Sequence, residues 1–193
     1  MKAPYKAADF ELAPEGNHVS RLYSIVDIGV QKSQYGEKRQ VIMTYELCNE
    51  LMKDGRPFVV SKFYTLSLHE SSNLCIDIEG IVGKKIPDDV KQTFDFRKML
   101  GLPCMLHVVH EDGKENKKRA SVKSIASVPK GLVAPPLVNP AIFFDLDEPD
   151  WNLFETLPDW LRKKINKEGY SYVSPSSSAP ADAPQSDDEK IPF

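Results

Sequence analysis

Three runs in the first third of the chain, NHVSRLYSIVDIGVQ, KRQVIMTYELCN and FVVSKFYTLSL, are dense in Val, Ile, Tyr, Phe and Thr. Branched and aromatic side chains in partial alternation suit a pleated, half-buried strand far better than a helix. In the first run Leu22, Val26, Ile28 and Val30 share one parity, and Arg21, Tyr23 and Asp27 the other. That predicts one core face and one face turned to solvent or a ligand. The connections carry turn chemistry, a Gly in QKSQYGE and an Asp-Gly in ELMKDGRP.

After the third run, HESSNLCIDIEGIVG places Leu74, Ile78, Ile81 and Val82 at spacings of three and four, which predicts a short amphipathic helix capped by Ser71 or Ser72. Residues 84–102 read as a polar connector with one helical turn, FDFRKML. CMLHVVHE and KKRASVKSIASV then flank EDGKEN as a hairpin. Five short strands with a helix between the third and fourth predict a mainly β protein, a five-stranded OB-fold Greek-key barrel. An SH3-like barrel is the structural rival, but it has no helix at that position. The barrel should occupy residues 16–128, behind a loose N-terminal arm at 1–15.

Beyond it the character changes. Residues 129–170 begin as a Pro-rich extended connector that can lie along the barrel through Leu137, Ile142 and Phe143. A short amphipathic helix follows from about Leu157, with Leu153, Leu157, Trp160, Leu161 and Ile165 on one side and Gly169 as its stop. Trp151 and Trp160 read as anchors of this segment. Residues 171–193 are rich in Ser, Pro, Ala and Asp, too poor in large apolar groups to fold, and read as a disordered acidic tail.

Charge follows the same division. Residues 1–130 carry 20 Lys and Arg against 17 Asp and Glu, and residues 131–193 carry 5 against 11, a mildly basic body before an acidic end. Three widely spaced cysteines, Cys48, Cys75 and Cys104, form no Cys-x-x-Cys pair and read as reduced thiols. No run approaches a membrane span. The expectation is a soluble cytoplasmic protein without membrane contact.

The chain closes on Asp187, Asp188, Glu189, Lys190, Ile191, Pro192 and Phe193. A barrel pattern, a Pro/Ser linker, an acidic cluster and a terminal Ile-Pro-Phe together resemble the single-stranded DNA-binding protein (SSB) family. Lys190 interrupts the acidic run, and the segment 130–170 has no counterpart in bacterial members. EPDWNLFETLPDWLRKKI is similar to stretches in SSB-like replication and recombination proteins of bacteriophages. The resemblance implies a protein that binds and protects single-stranded DNA with low sequence specificity during replication, recombination and repair. It would act in a bacterial cell or a phage-infected host and recruit replication or recombination proteins through its tip. There Asp187, Asp188 and Glu189 steer the encounter, Ile191 and the Phe193 ring fill an apolar pocket, and Pro192 keeps the segment extended. Bacterial relatives are often tetramers, which leaves a homo-oligomer open.

Sequence-tolerant binding of single strands needs cations for phosphates and exposed rings for bases. On an OB barrel these belong to the second and third strands and to the loops after the first and fourth. The candidates are Arg21 and Tyr23 on the first strand, Lys32, Tyr35, Lys38 and Arg39 around the first loop, and Arg56, Lys62 and Tyr64 about the third strand. Lys114, Lys117, Lys118 and Arg119 load the last hairpin. Tyr45 shares parity with Val41, Met43 and Leu47 and reads as core. Phe63 and Tyr64 must face opposite sides, and Tyr64, with Lys62 on its side, is the expected platform.

Catalytic chemistry is not expected, and neither is a cofactor or a metal. His107 and His110, three apart on a strand, point to opposite faces and cannot share a metal. GIVGKK lacks the spacing and the hydroxyl residue of a phosphate loop. The alternative from another class is an adaptor of the replication or recombination machinery whose barrel binds protein; a virion structural subunit is a third reading.

Overall fold

Two long strands organise the molecule. The computed structural model describes residues 11–34, 36–113 and 118–168. β1 (Gly16–Ser33) and β2 (Gly36–Leu51) form an antiparallel pair, followed by β3 (Pro57–Thr65), α1 (Asn73–Val82), α2 (Asp88–Lys91) and a 3-10 turn at Phe96–Met99. Then come β4 (Pro103–Asp112), β5 (Lys118–Ala126), β6 (Ile142–Phe144), α3 (Trp151–Thr156) and α4 (Asp159–Lys164). The strand runs read from the sequence and the helix between the third and fourth strands are present. Among the described residues no helix is long and apolar enough to cross a membrane.

The sheet runs β3-β2-β1-β4-β5, antiparallel throughout, with β6 added to β1 in parallel. β3 and β5 end this path and approach one another with no ladder between them among the described residues, so the sheet is open there. β4 accompanies β1 only as far as the Arg21–Pro103 pair, and β6 joins β1 from Ser24. Between them Leu22 is satisfied by backbone bonds with Gly101 and Leu102. The edge of β1 is thus relayed from one partner to the next, leaving few backbone groups unpaired.

One face of the sheet, here called inner, is covered by α1. Leu22, Ile25, Val41, Met43, Tyr45, Val60, Leu106 and Ile125 pack there with Leu74, Ile78 and Ile81 of the helix. Ser72 caps α1, its hydroxyl accepting the Cys75 N–H at 3.2 Å, and Gly83 closes it in the left-handed conformation at φ 74°. Gly80 lets α1 sit directly on β5: a Cβ there would lie 2.6 Å from the Ile125 carbonyl oxygen.

The parity reading of β1 needs correction. Register shifts between Leu22 and Ser24 and between Asp27 and Gly29 reverse the alternation. Leu22 and Ile25 face inward, whereas Val26 and Ile28 face outward and meet Ile42, Phe144, Leu146, Phe154, Leu157, Leu161 and Ile165 in a second core. Residues 142–165 therefore cover the outer face of β1 and β2. Polar ties reinforce the cover: the Asn166 N–H donates to the Ile28 carbonyl at 2.9 Å, and its side-chain amide to Val30 at 2.8 Å.

The single amphipathic helix expected from Leu157 is instead two short ones. Pro158 stands at the N-cap of α4, so the chain turns between α3 and α4. The break puts Phe154 into the core and leaves Trp160 47% exposed, so Trp160 does not anchor the segment. Trp151 does pack, its ring centroid 5.6 Å from Phe154 and 6.0 Å from Phe144.

Candidate nucleic-acid interface

β3 decides which side chains reach solvent. Its even positions, Val60, Lys62 and Tyr64, point inward, and its odd positions, Val59, Ser61, Phe63 and Thr65, point outward. Tyr64 is 3% exposed; its hydroxyl donates to Asp77 of α1 at 2.8 Å and lies 3.4 Å from the Tyr45 hydroxyl. Burial, then the neighbouring Tyr45 and Asp77, push its phenol well above the usual range. Lys62 donates to the same Asp77 at 2.6 Å. The choice of Tyr64 and Lys62 as platform is therefore reversed: they anchor the helix, and Phe63 is the outward ring. Tyr45 is fully buried, as its parity implies.

Phe63 is 46% exposed and Val59 42%. Together with Trp160 of α4 they line an open groove of about 530 Å³, completed by Leu12, Met52, Phe58, Arg119 and neighbours. The Lys164 ammonium, one turn beyond Trp160, stands 5.5 Å from the Phe63 ring centroid. Two accessible aromatic faces with a cation beside them form a surface on which flat rings can stack. Sequence reasoning missed this pair. The Pro158 break was the signal for Trp160, and the adjacency of Phe63 and Tyr64 had already reduced the first choice to two residues.

Most of the cations singled out in the sequence are held by partners within the chain. Arg21 donates to the carbonyls of Gly101 at 2.6 Å, Ala134 at 2.9 Å and Pro135 at 2.6 Å, strapping the connector over β1. Arg39 binds Asp27, Asp147 at 2.9 Å and Asp145 at 3.3 Å, which joins β2 to the chain after β6. Lys32 pairs with Glu37 at 3.3 Å, Arg56 with Asp54 at 2.6 Å and Arg119 with Glu111 at 3.0 Å. Arg21, Arg39 and Lys62 are thus structural ties, while Lys32, Arg56 and Arg119 are surface pairs that a phosphate could compete for. Tyr23 is half-buried, and burial followed by the nearby Glu46 raises its phenol. Glu46, itself buried, accepts N–H bonds from Val138 and Asn139.

Lys38 and Lys118 are exposed, with no carboxylate partner among the described residues. Tyr35, Lys114, Lys117 and the tip residues Asp187, Asp188, Glu189, Ile191, Pro192 and Phe193 lie outside the described residues. His107 and His110 have separate partners, Asn17 at 3.0 Å and the Ala13 carbonyl at 2.8 Å. No protein-family model matches the chain, and a search of curated proteins finds no match to it.

Proposed function

We propose that this chain is a non-catalytic single-stranded DNA-binding protein whose sheet is an OB-type barrel. Its groove between β3 and α4 takes up unpaired bases with low sequence specificity, in replication, recombination or repair. The acidic Ile-Pro-Phe segment serves as the handle for partner proteins. The strand order, and the place of α1 between β3 and β4, support the barrel. The observation that carries the binding reading is the pair Phe63 and Trp160, both about half exposed on one groove. A large apolar ring left half in water is unfavourable unless something covers it, and a base presents a matching flat face.

Fluorescence titration of the full chain with oligo-dT and with a duplex of equal length tests this. Each stacked base is worth roughly 1–3 kcal/mol, so Phe63→Ala and Trp160→Ala should each weaken oligo-dT binding about 5- to 150-fold. Equal affinity of the wild type and the variant that combines Phe63→Ala with Trp160→Ala, or a preference for duplex, would refute the groove.

The neutralised cations support a second reading, an adaptor whose groove accepts an apolar protein segment. In that case oligo-dT would fail to bind even at low salt, where phosphate contacts are strongest.

A further inference from the structure

The outer row of β3 does not end at the aromatic groove. Phe63 also belongs to a second open groove of about 490 Å³, lined by Lys38, Gln40, Thr65, Ser67, His69, Ser71, Ser72 and Asn73 among others. Its walls differ from those of the aromatic groove in two respects. No Asp or Glu lines it, whereas Glu11 lines the aromatic groove. It is also rich in donors without a protein acceptor among the described residues: the Lys38 ammonium and the side-chain amides of Gln40 and Asn73.

His69 adds a directed donor. Its Nδ1 accepts the Ser71 backbone N–H at 3.3 Å and lies 2.8 Å from the Ser71 hydroxyl. An Nδ1 that accepts leaves the proton of the neutral ring on Nε2, free of any protein partner among the described residues. The first residues of α1, Asn73 and Leu74, close the same wall, so the positive end of that helix adds to the field.

We propose that this second groove is the phosphate-holding continuation of the nucleic-acid path, with Lys38 and His69 as its principal contacts. A single strand stacks its bases on Trp160 and Phe63 and then runs along β3 toward the start of α1. The outer row from Val59 to Thr65 spans about 20 Å at ~3.3 Å per residue, enough for several nucleotides. The proposal rests on the single-strand reading and adds the division of labour: rings bind at one end, and donors without competing carboxylates bind backbone at the other.

The salt dependence of binding separates the two ends. A lysine that neutralises one phosphate of a single strand contributes about 0.7 to the slope of log affinity against log salt. Anisotropy of labelled oligo-dT of about fifteen nucleotides, titrated between about 50 and 200 mM salt, should show Lys38→Gln with a slope shallower by about 0.7. Its affinity should be about fivefold lower near 0.1 M salt. His69→Gln should weaken binding, and Phe63→Ala should weaken it with the wild-type slope. Lys38 has no structural partner to lose among the described residues, and an unchanged urea midpoint confirms that its variant is folded. If Lys38→Gln keeps the wild-type slope while Phe63→Ala still weakens binding, the phosphate path is wrong and the stacking groove stands. If the wild-type chain ignores oligo-dT, the single-strand reading itself fails.

Discussion

Replacing Arg39 by Ala separates the structural role of this residue from the DNA contact its sequence position suggests. The guanidinium sits among Asp27, Asp145 and Asp147, donating from Nε to Asp27 at 2.9 Å and from Nη1 to Asp147 at 2.9 Å. Asp27 is 5% exposed; its other acceptor bonds come from the backbone N–H of Gly29 at 2.9 Å and Leu146 at 3.3 Å. Removing the cation leaves a buried carboxylate held by two amides. Breaking a buried pair from one side costs about 3–5 kcal/mol, most of it from the stranded charge. Asp145 and Asp147 are more exposed and add little.

With a urea m-value of about 1–3 kcal/mol/M, that loss lowers the midpoint by about 1–5 M. The double replacement Asp27→Asn with Arg39→Met removes both charges and should recover much of the loss. Urea unfolding of the wild type, Asp27→Asn, Arg39→Met and the double variant gives the coupling directly. The reasoning fails if Arg39→Ala unfolds at the wild-type midpoint, or if its main effect is a shallower salt slope for oligo-dT with stability intact.

Two further outcomes test the packing. Gly80→Ala brings a methyl to 2.6 Å from the Ile125 carbonyl, so α1 must lift from β5; a loss of about 1–3 kcal/mol in urea unfolding is expected, and a neutral result would mean that the helix is not seated there. Burial pushes the Cys104 thiol up to about 12, above an unfolded value near 8.5. The folded state favours the neutral thiol, so this contribution is full below pH ~8.5 and declines as pH rises toward about 12. Alkylation near pH ~9 should label Cys104 far more slowly in the native protein than in urea; equal rates with the fold intact would refute the burial.

The strands and α1 were legible because their signals are local. Branched residues in alternation, an Asp-Gly turn, and Leu74, Ile78 and Ile81 behind Ser72 need no distant partner to be read. What failed depended on distant partners or on one-residue phase shifts. The bulge between Leu22 and Ser24 inverts the faces of β1, and alternation alone cannot locate it. Tyr64 turns inward because Asp77, on a helix formed later in the chain, offers its hydroxyl an acceptor; Phe63 needs none and takes the wet side. Arg39 looked free because two of its carboxylates lie 106 and 108 positions away. In the candidate site, the region was legible as the third strand, but the ring facing solvent and the contribution of α4 were not. Only Pro158, which stands directly before Asp159 in FETLPDW, could have split the helix and released Trp160.

The cover on β1 and β2 has a consequence for biosynthesis. Leu146 reaches back to Asp27 across 119 positions. At a synthesis rate of about 5–20 residues per second, those strands wait about 6–24 s for their lid to be made. During that interval Val26, Ile28 and Ile42 form an oily stripe on a half-finished molecule. Prematurely released chains would keep that stripe permanently, as targets for chaperones and proteases, so α3 and α4 act as the latch that covers it.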